Sequence, residues 1–118
     1  MKLAVAAMGT KVAGHFGHCE TFIFYEIANG SVASREVVPN PGHKPGFLPN
    51  FLADRGAQAV ISGGMGGGAV EIFNQRGVAV ITGASGEADA VVERYLKGEL
   101  KSDGAVCHEH AHADACGE

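Results

Sequence analysis

A chain of 118 residues is long enough to bury one real core and too short for two, so a single domain is expected. Its formal charge of −4, with nine lysines and arginines scattered along it, offers no basic footprint for nucleic acid or for an acidic membrane surface. Three cysteines, an odd number, argue against a closed disulfide framework; no apolar run has membrane-spanning length, and the early run broken at Gly9 is too short for a secretion signal, so a cytoplasmic location is expected.

Residues 2–8 show no polar alternation and predict a strand buried on both faces. Residues 9–20 are polar and punctuated by glycine, a loop directly after that strand. Aromatic and β-branched side chains over 21–27 predict a second strand. Asn29-Gly30 predicts a type I′ hairpin turn, because both residues tolerate positive φ. The returning strand over 32–38 mixes polar and apolar residues, as at a sheet edge with one wet face. Prolines and glycines exclude regular structure over 39–46. Pro49 near its start and Gly56 at its end bracket a short helix, with Leu48, Phe51 and Leu52 on one side.

Residues 57–62 are a third apolar run of strand length. It leads into Gly63-Gly64-Met65-Gly66-Gly67-Gly68, and then into a helix over 69–76 closed by Gly77. A further buried strand is expected over 78–82, followed by a loop over 83–86. Ala88, Val91, Val92, Tyr95 and Leu96 then form an apolar stripe at helical spacing. Glu87 and Asp89 in its first turn, Lys97 in its last and Gly98 beyond agree with the helix dipole and C-cap preferences.

A hairpin followed by βαβ crossovers predicts a mixed three-layer α/β domain over residues 1–100, with a flexible Cys/His-rich tail over 101–118. Parallel strands place their C-terminal loops on one edge, where open α/β sheets bind ligands. Three loops should meet there: 9–20, 63–68 and 83–86.

The first of these carries His15-Phe16-Gly17-His18-Cys19-Glu20. Imidazole and thiolate together suit soft or borderline transition metals and metal–sulfur clusters, which makes His15, His18 and Cys19 candidate ligands. The plainer reading is a polar loop whose Cys19 is simply buried. In the second loop, backbone amides at a helix start favour an anion, and glycine lets a bulky one approach. Gly64, Gly66 and Ala69 match dinucleotide spacing, but so glycine-rich a loop produces that spacing easily and too little chain follows for a full site. A phosphate or nucleotide site on this loop, or glycines serving only tight strand-to-helix packing, remain open alternatives.

No enzyme is expected. The first strand lacks the carboxylates of a metal-dependent nuclease, and no flanking motif supports a Cys19 nucleophile paired with His15 or His18. The tail sets Cys107, His108, His110, His112 and Cys116 close together, a composition that binds metal without matching any zinc-finger spacing. Zinc or another divalent ion is the expected occupant, which admits a metal-chaperone reading through the tail alone.

His15-Phe16-Gly17 followed by Thr21-Phe22, the Asn29-Gly30 hairpin, Gly46-Phe47-Leu48-Pro49 and Gly63-Gly64-Met65-Gly66 together resemble the dinitrogenase iron–molybdenum cofactor accessory family, over about residues 1–100. That family includes NifX, NafY, the C-terminal domain of NifB and many stand-alone proteins. The resemblance implies a ribonuclease H-like fold, with a five-stranded mixed sheet and helices on both faces. It also implies binding or carriage of an iron–sulfur-based or molybdenum–sulfur cluster without catalysis, and hence cluster donor and acceptor proteins as partners. By the same resemblance His15 takes the cluster-binding role of the motif histidine, with Phe16 and Gly17 beside it; from the glycine loop's own chemistry, Gly64, Met65, Gly66 and Gly67 are expected to form a backbone cradle for the negative charge. Cys19 departs from the small residue common at its position. The tail matches only some stand-alone members.

Overall fold

Five consecutive side chains, Leu3 to Ala7, have no exposed surface on either side of the first strand, and the domain is built around them. The computed structural model describes residues 1–42 and 46–99. Its elements in order are β1 (Lys2–Met8), β2 (Lys11–Val12), a 3-10 turn (Phe16–His18), β3 (Thr21–Ala28), β4 (Ser31–Pro39), α1 (Phe47–Asp54), β5 (Ala59–Ile61), α2 (Gly67–Gln75), β6 (Ala79–Ile81) and α3 (Ala88–Leu96). The sheet order is β4-β3-β1-β5-β6, with β2 paired to the end of β1. β1 runs antiparallel to β3 and parallel to β5, which is parallel to β6.

Alternation along β1 separates two cores. Ala4 and Ala6 face Phe16, Phe22, Phe24 and Val60, together with Leu48 and Leu52 of α1 and Phe73 of α2. Leu3, Val5 and Ala7 face Ile23, Tyr25 and Ile61, together with Ala88, Val91 and Val92 of α3. Helices therefore cover both faces. Ala4 pairs across the sheet with Phe24 and Ala6 with Phe22, so small residues on β1 make room for rings on β3.

The mixed sheet, its parallel centre and its edge hairpin match the sequence expectation. Asn29 and Gly30 both adopt positive φ, at 56° and 77°, as a type I′ turn requires. Strand number and some element bounds differ. The sheet has six strands and not five, because residues 9–20 are more than a loop: β2 adds the pairs Ala7↔Val12 and Met8↔Lys11. Two residues are too few to carry a periodic signal. α1 begins at Phe47, and Pro49 stands near its start as expected, in the first turn where its missing N–H is no loss. β6 is shorter than expected at its start, because the Val78 amide bonds instead to the Phe73 carbonyl at the end of α2, at 2.9 Å.

α3 is tied to the hairpin by a polar contact. The Tyr25 hydroxyl donates to Asp89 Oδ1 at 2.6 Å, and Arg35 Nη1 donates to both Asp89 oxygens at 3.0 Å. The Tyr25 hydrogen bond, then Arg35, holds the Asp89 carboxyl below its ordinary value, while burial and the Asp89 charge push the Tyr25 phenol upward. A carboxyl depressed on folding stabilises the native state above its unfolded pKa of about 4, and that contribution is lost as the pH falls through the folded value. Tyr25→Phe should therefore flatten the acid limb of the stability profile. The check is urea unfolding between neutral pH and about pH 2; an equal loss of stability on acidification in both proteins would refute it.

Candidate functional site

The three expected loops do meet at the C-terminal end of β1, and they are laced together by main-chain hydrogen bonds. After β2, the Ala13 amide donates to the Ala6 carbonyl at 2.8 Å, which keeps the chain against β1. The Gly63 amide then donates to the Ala13 carbonyl and the Phe16 amide to the Gly64 carbonyl, both at 2.9 Å, and His15 bridges Gly64 in parallel register. From the third loop, the Gly83 amide donates to the Gly63 carbonyl at 2.6 Å, and the Gly86 carbonyl accepts from the Val12 amide at 2.9 Å. Ser62, fully buried, donates its hydroxyl to the Gly64 carbonyl at 3.0 Å.

The side chains divide sharply by burial. Phe16 is 1% exposed and packs against the rings of Phe22 and Phe73, with centroids 5.5 and 5.6 Å away. Its neighbour His15, in extended conformation at φ −134°, is exposed. His18 closes the 3-10 turn and is also exposed; the two imidazoles stand edge-to-face with centroids 6.3 Å apart. Met65 is 1% exposed, and Gly17 and Gly66 are buried, whereas Gly64 and Gly67 are only half-buried. Phe16 and Met65 thus support the site from beneath.

Cys19 is where the geometry departs from the expected ligand set. It is buried in the α1–α2 core, and Asn40 Nδ2 donates to its carbonyl at 2.9 Å and lies 3.6 Å from Sγ. Burial pushes the thiol up to about 11, against lowering by the Ala7 backbone and by Asn40. Burial in the core favours the plainer reading of a core cysteine. Among the described residues no three His, Cys, Asp or Glu side chains gather into a cage for a metal ion, so His15, His18 and Cys19 do not form one. The tail candidates Cys107, His108, His110, His112 and Cys116 lie outside the described residues.

α2 supplies the other half of the edge. Gly66 is its N-cap and makes no side-chain capping bond, so the amides of the first turn, Gly67 to Ala69, are directed out of the helix without an intrahelical partner. With the helix dipole they favour negative charge. A groove of about 240 Å³ lies elsewhere, lined by Tyr25, Val32, Arg35, Asp89 and Glu93, and shares no residue with the three loops.

Asn40 is a site residue that composition does not announce. Its amide also donates to the Glu20 carbonyl at 3.1 Å and its Oδ1 accepts from Gly42 at 2.9 Å, so it clamps the end of β4 to the His15 loop. The only sequence hint is an Asx-turn residue between two prolines. Glu20 makes a second clamp, its Oε1 accepting from the Gly9 amide at 2.9 Å.

The chain belongs to the dinitrogenase iron–molybdenum cofactor family, whose model matches residues 1–98. It is 37% identical to PH0822, whose crystal structure aligns with a TM-score of 0.81 over 88% of this chain and 96% of that one. It is 29% identical over 106 residues to MJ0580 of Methanocaldococcus jannaschii, covering 86% of this chain and 90% of that protein. The apo form of the orange protein from Desulfovibrio gigas shares the fold, with a TM-score of 0.76 at 23% identity over 88% and 93% of the two chains.

Two measurements test the division between supports and exposed groups. Phe16→Ala should lower unfolding free energy by about 3–5 kcal/mol, as for a fully buried ring, while the exposed His15→Ala changes it by less than about 0.5 kcal/mol. Cys19 should alkylate slowly in the folded protein: the raised pKa, about 11 against 9.0, alone lowers its thiolate population about a hundredfold at pH 8. Peptide mass spectrometry resolves it from Cys107 and Cys116, and rapid native labelling of Cys19 would contradict its burial.

Proposed function

We propose that this protein binds a preformed anionic metal–sulfur cluster, iron–sulfur-based or molybdenum-containing, and carries or stores it without catalysing a reaction. The observation that supports this most is the exposed His15 held beside Gly64 on a fixed platform, with Phe16 locked in the core one residue away. A bare structural zinc ion needs about four protein ligands. Two imidazoles with helix-start amides suit instead a cargo that brings its own sulfides and its own negative charge. His15 is the direct ligand in this reading, His18 a second, and Gly64, Gly66 and Gly67 the backbone cradle. Cys19 is left out of the set because its side chain is buried in the α1–α2 core and does not reach the exposed edge.

Membership of a family described by the iron–molybdenum cofactor supports the choice of cargo. The sheet order β4-β3-β1-β5-β6 with helices on both faces agrees with a ribonuclease H-like arrangement. Cluster donor and acceptor proteins are the partners of such a carrier. Cys107, His108, His110, His112 and Cys116 would recruit metal, zinc or another divalent ion among them, or shield the cargo. We place the protein in the cytoplasm; among the described residues no helix is long and apolar enough to cross a membrane.

Anaerobic reconstitution with ferrous iron and sulfide, and separately with tetrathiomolybdate, tests the proposal. Sulfide-to-metal charge-transfer absorption should appear with stoichiometric metal and labile sulfide. His15→Ala should weaken retention on the order of tenfold or more, and truncation after Lys101 should leave the loop site filled. A colourless, metal-free product in both reconstitutions would sink the idea. Saturable nucleotide binding that is lost on bulky substitution of Gly66 yet indifferent to His15→Ala would favour a phosphate site on the glycine loop.

A further inference from the structure

We propose that Gly63 is the positioning residue of this platform: by presenting only hydrogen to the neighbouring loop, it sets the separation between His15 and the start of α2. The consequence for cargo rests on the cluster-binding reading; the geometry does not. Gly63 lies two residues beyond the end of β5 and is bonded on both sides, its amide to Ala13 at 2.9 Å and its carbonyl to Gly83 at 2.6 Å. A Cβ built there would lie 2.9 Å from the Ala13 carbonyl oxygen, 2.9 Å from Gly14 Cα and 3.1 Å from the Gly14 oxygen.

All three are backbone atoms, which cannot swing aside as a side chain would. Any side chain at 63 must therefore push the first loop away from the second. The displaced segment carries His15 one residue beyond Gly14, while the opposing segment carries Gly64, its bridge partner, one residue beyond Gly63. The disturbance falls on the His15–Gly64 contact and on the hydrogen bond from Phe16 to Gly64. Gly63 touches no cargo in this arrangement and acts through the spacing of the residues that do.

Gly14 supplies an internal control. It faces Gly63 across the same junction, yet a Cβ on Gly14 meets nothing within 4 Å, and its φ lies outside the positive range. A general intolerance of side chains in this loop would affect both positions. The proposed spacing role affects one.

Amide hydrogen exchange on the cargo-free full chain reads this directly. In Gly63→Ala the Phe16 and Gly83 amides should exchange at least about tenfold faster than in the wild type, while amides between β1 and β3 keep their protection. Gly14→Ala should stay within about twofold of wild type at every one of these amides. After reconstitution with iron and sulfide, Gly63→Ala should lose the charge-transfer absorption that Gly14→Ala retains.

If Gly63→Ala does not fold, Ser62→Ala takes its place, since it removes the hydroxyl on the Gly64 carbonyl without adding volume. It should speed Phe16 exchange several-fold, roughly, with the core amides unchanged. Unchanged Phe16 exchange in folded Gly63→Ala, equal damage from Gly14→Ala, or unchanged Phe16 exchange in Ser62→Ala overturns the proposal. A wild-type protein that takes up no cluster defeats the cluster reading instead, and the exchange result on cargo-free protein still decides the role of Gly63.

Discussion

Between Leu3 and Ala7 the first strand has no contact with water on either face, so two separate cores must form for it to be buried at all. One core is supplied by α1, α2 and the rings of β3; the other by α3. Each helix is short, eight or nine residues, and would be marginal alone. Docking on β1 and its neighbours stabilises them. Because β1, β5 and β6 are parallel, the same burial also fixes where their following loops emerge, which is the edge carrying His15, Gly64 and Gly83.

That edge owes its shape to main chain more than to side chains. Carbonyl and amide groups of Ala13, Gly63, Gly64, Gly83 and Gly86 join the loops. Phe16 adds the apolar anchor that stops the segment from lifting, and Asn40 and Glu20 tie its far end to β4 and β1. Buried backbone groups have to be paired somewhere, and here the loops pair one another's. An otherwise irregular segment is thus hydrogen-bonded across to its neighbours much as a strand is.

Much of this was readable from residue types alone, and the boundary between readable and unreadable has physical causes. β1, the Asn29-Gly30 hairpin and α3 declared themselves because each repeats a local pattern over enough residues to outvote accident. The convergence of three loops followed from parallel topology. β2 leaves no signal, since two residues have no period; the inward turn of Phe16 leaves none either, and that of Cys19 stands only as the plainer of two readings, since a loop lacks the alternation that tells inside from outside. The family motif singles out His15, whereas residue type alone nominates His18 and Cys19; burial separates the exposed His15 and His18 from Cys19. Asn40 and Gly63 are hard to find as site residues for a related reason: both act through contacts to residues distant in the chain, which local pattern does not reveal.

The division between main-chain framework and outward side chains also bears on how such a scaffold can change. His15 and His18 project from the platform without contributing to either buried core. If they hold the cargo as proposed, replacing them would change what the edge holds without removing a side chain from either core, whereas a Cβ at Gly63 would meet backbone, and Phe16 and Ser62 are buried. On that reading specificity and foldability fall to different residues. A lineage could then re-tune the first by drift at two exposed positions while both cores stay intact.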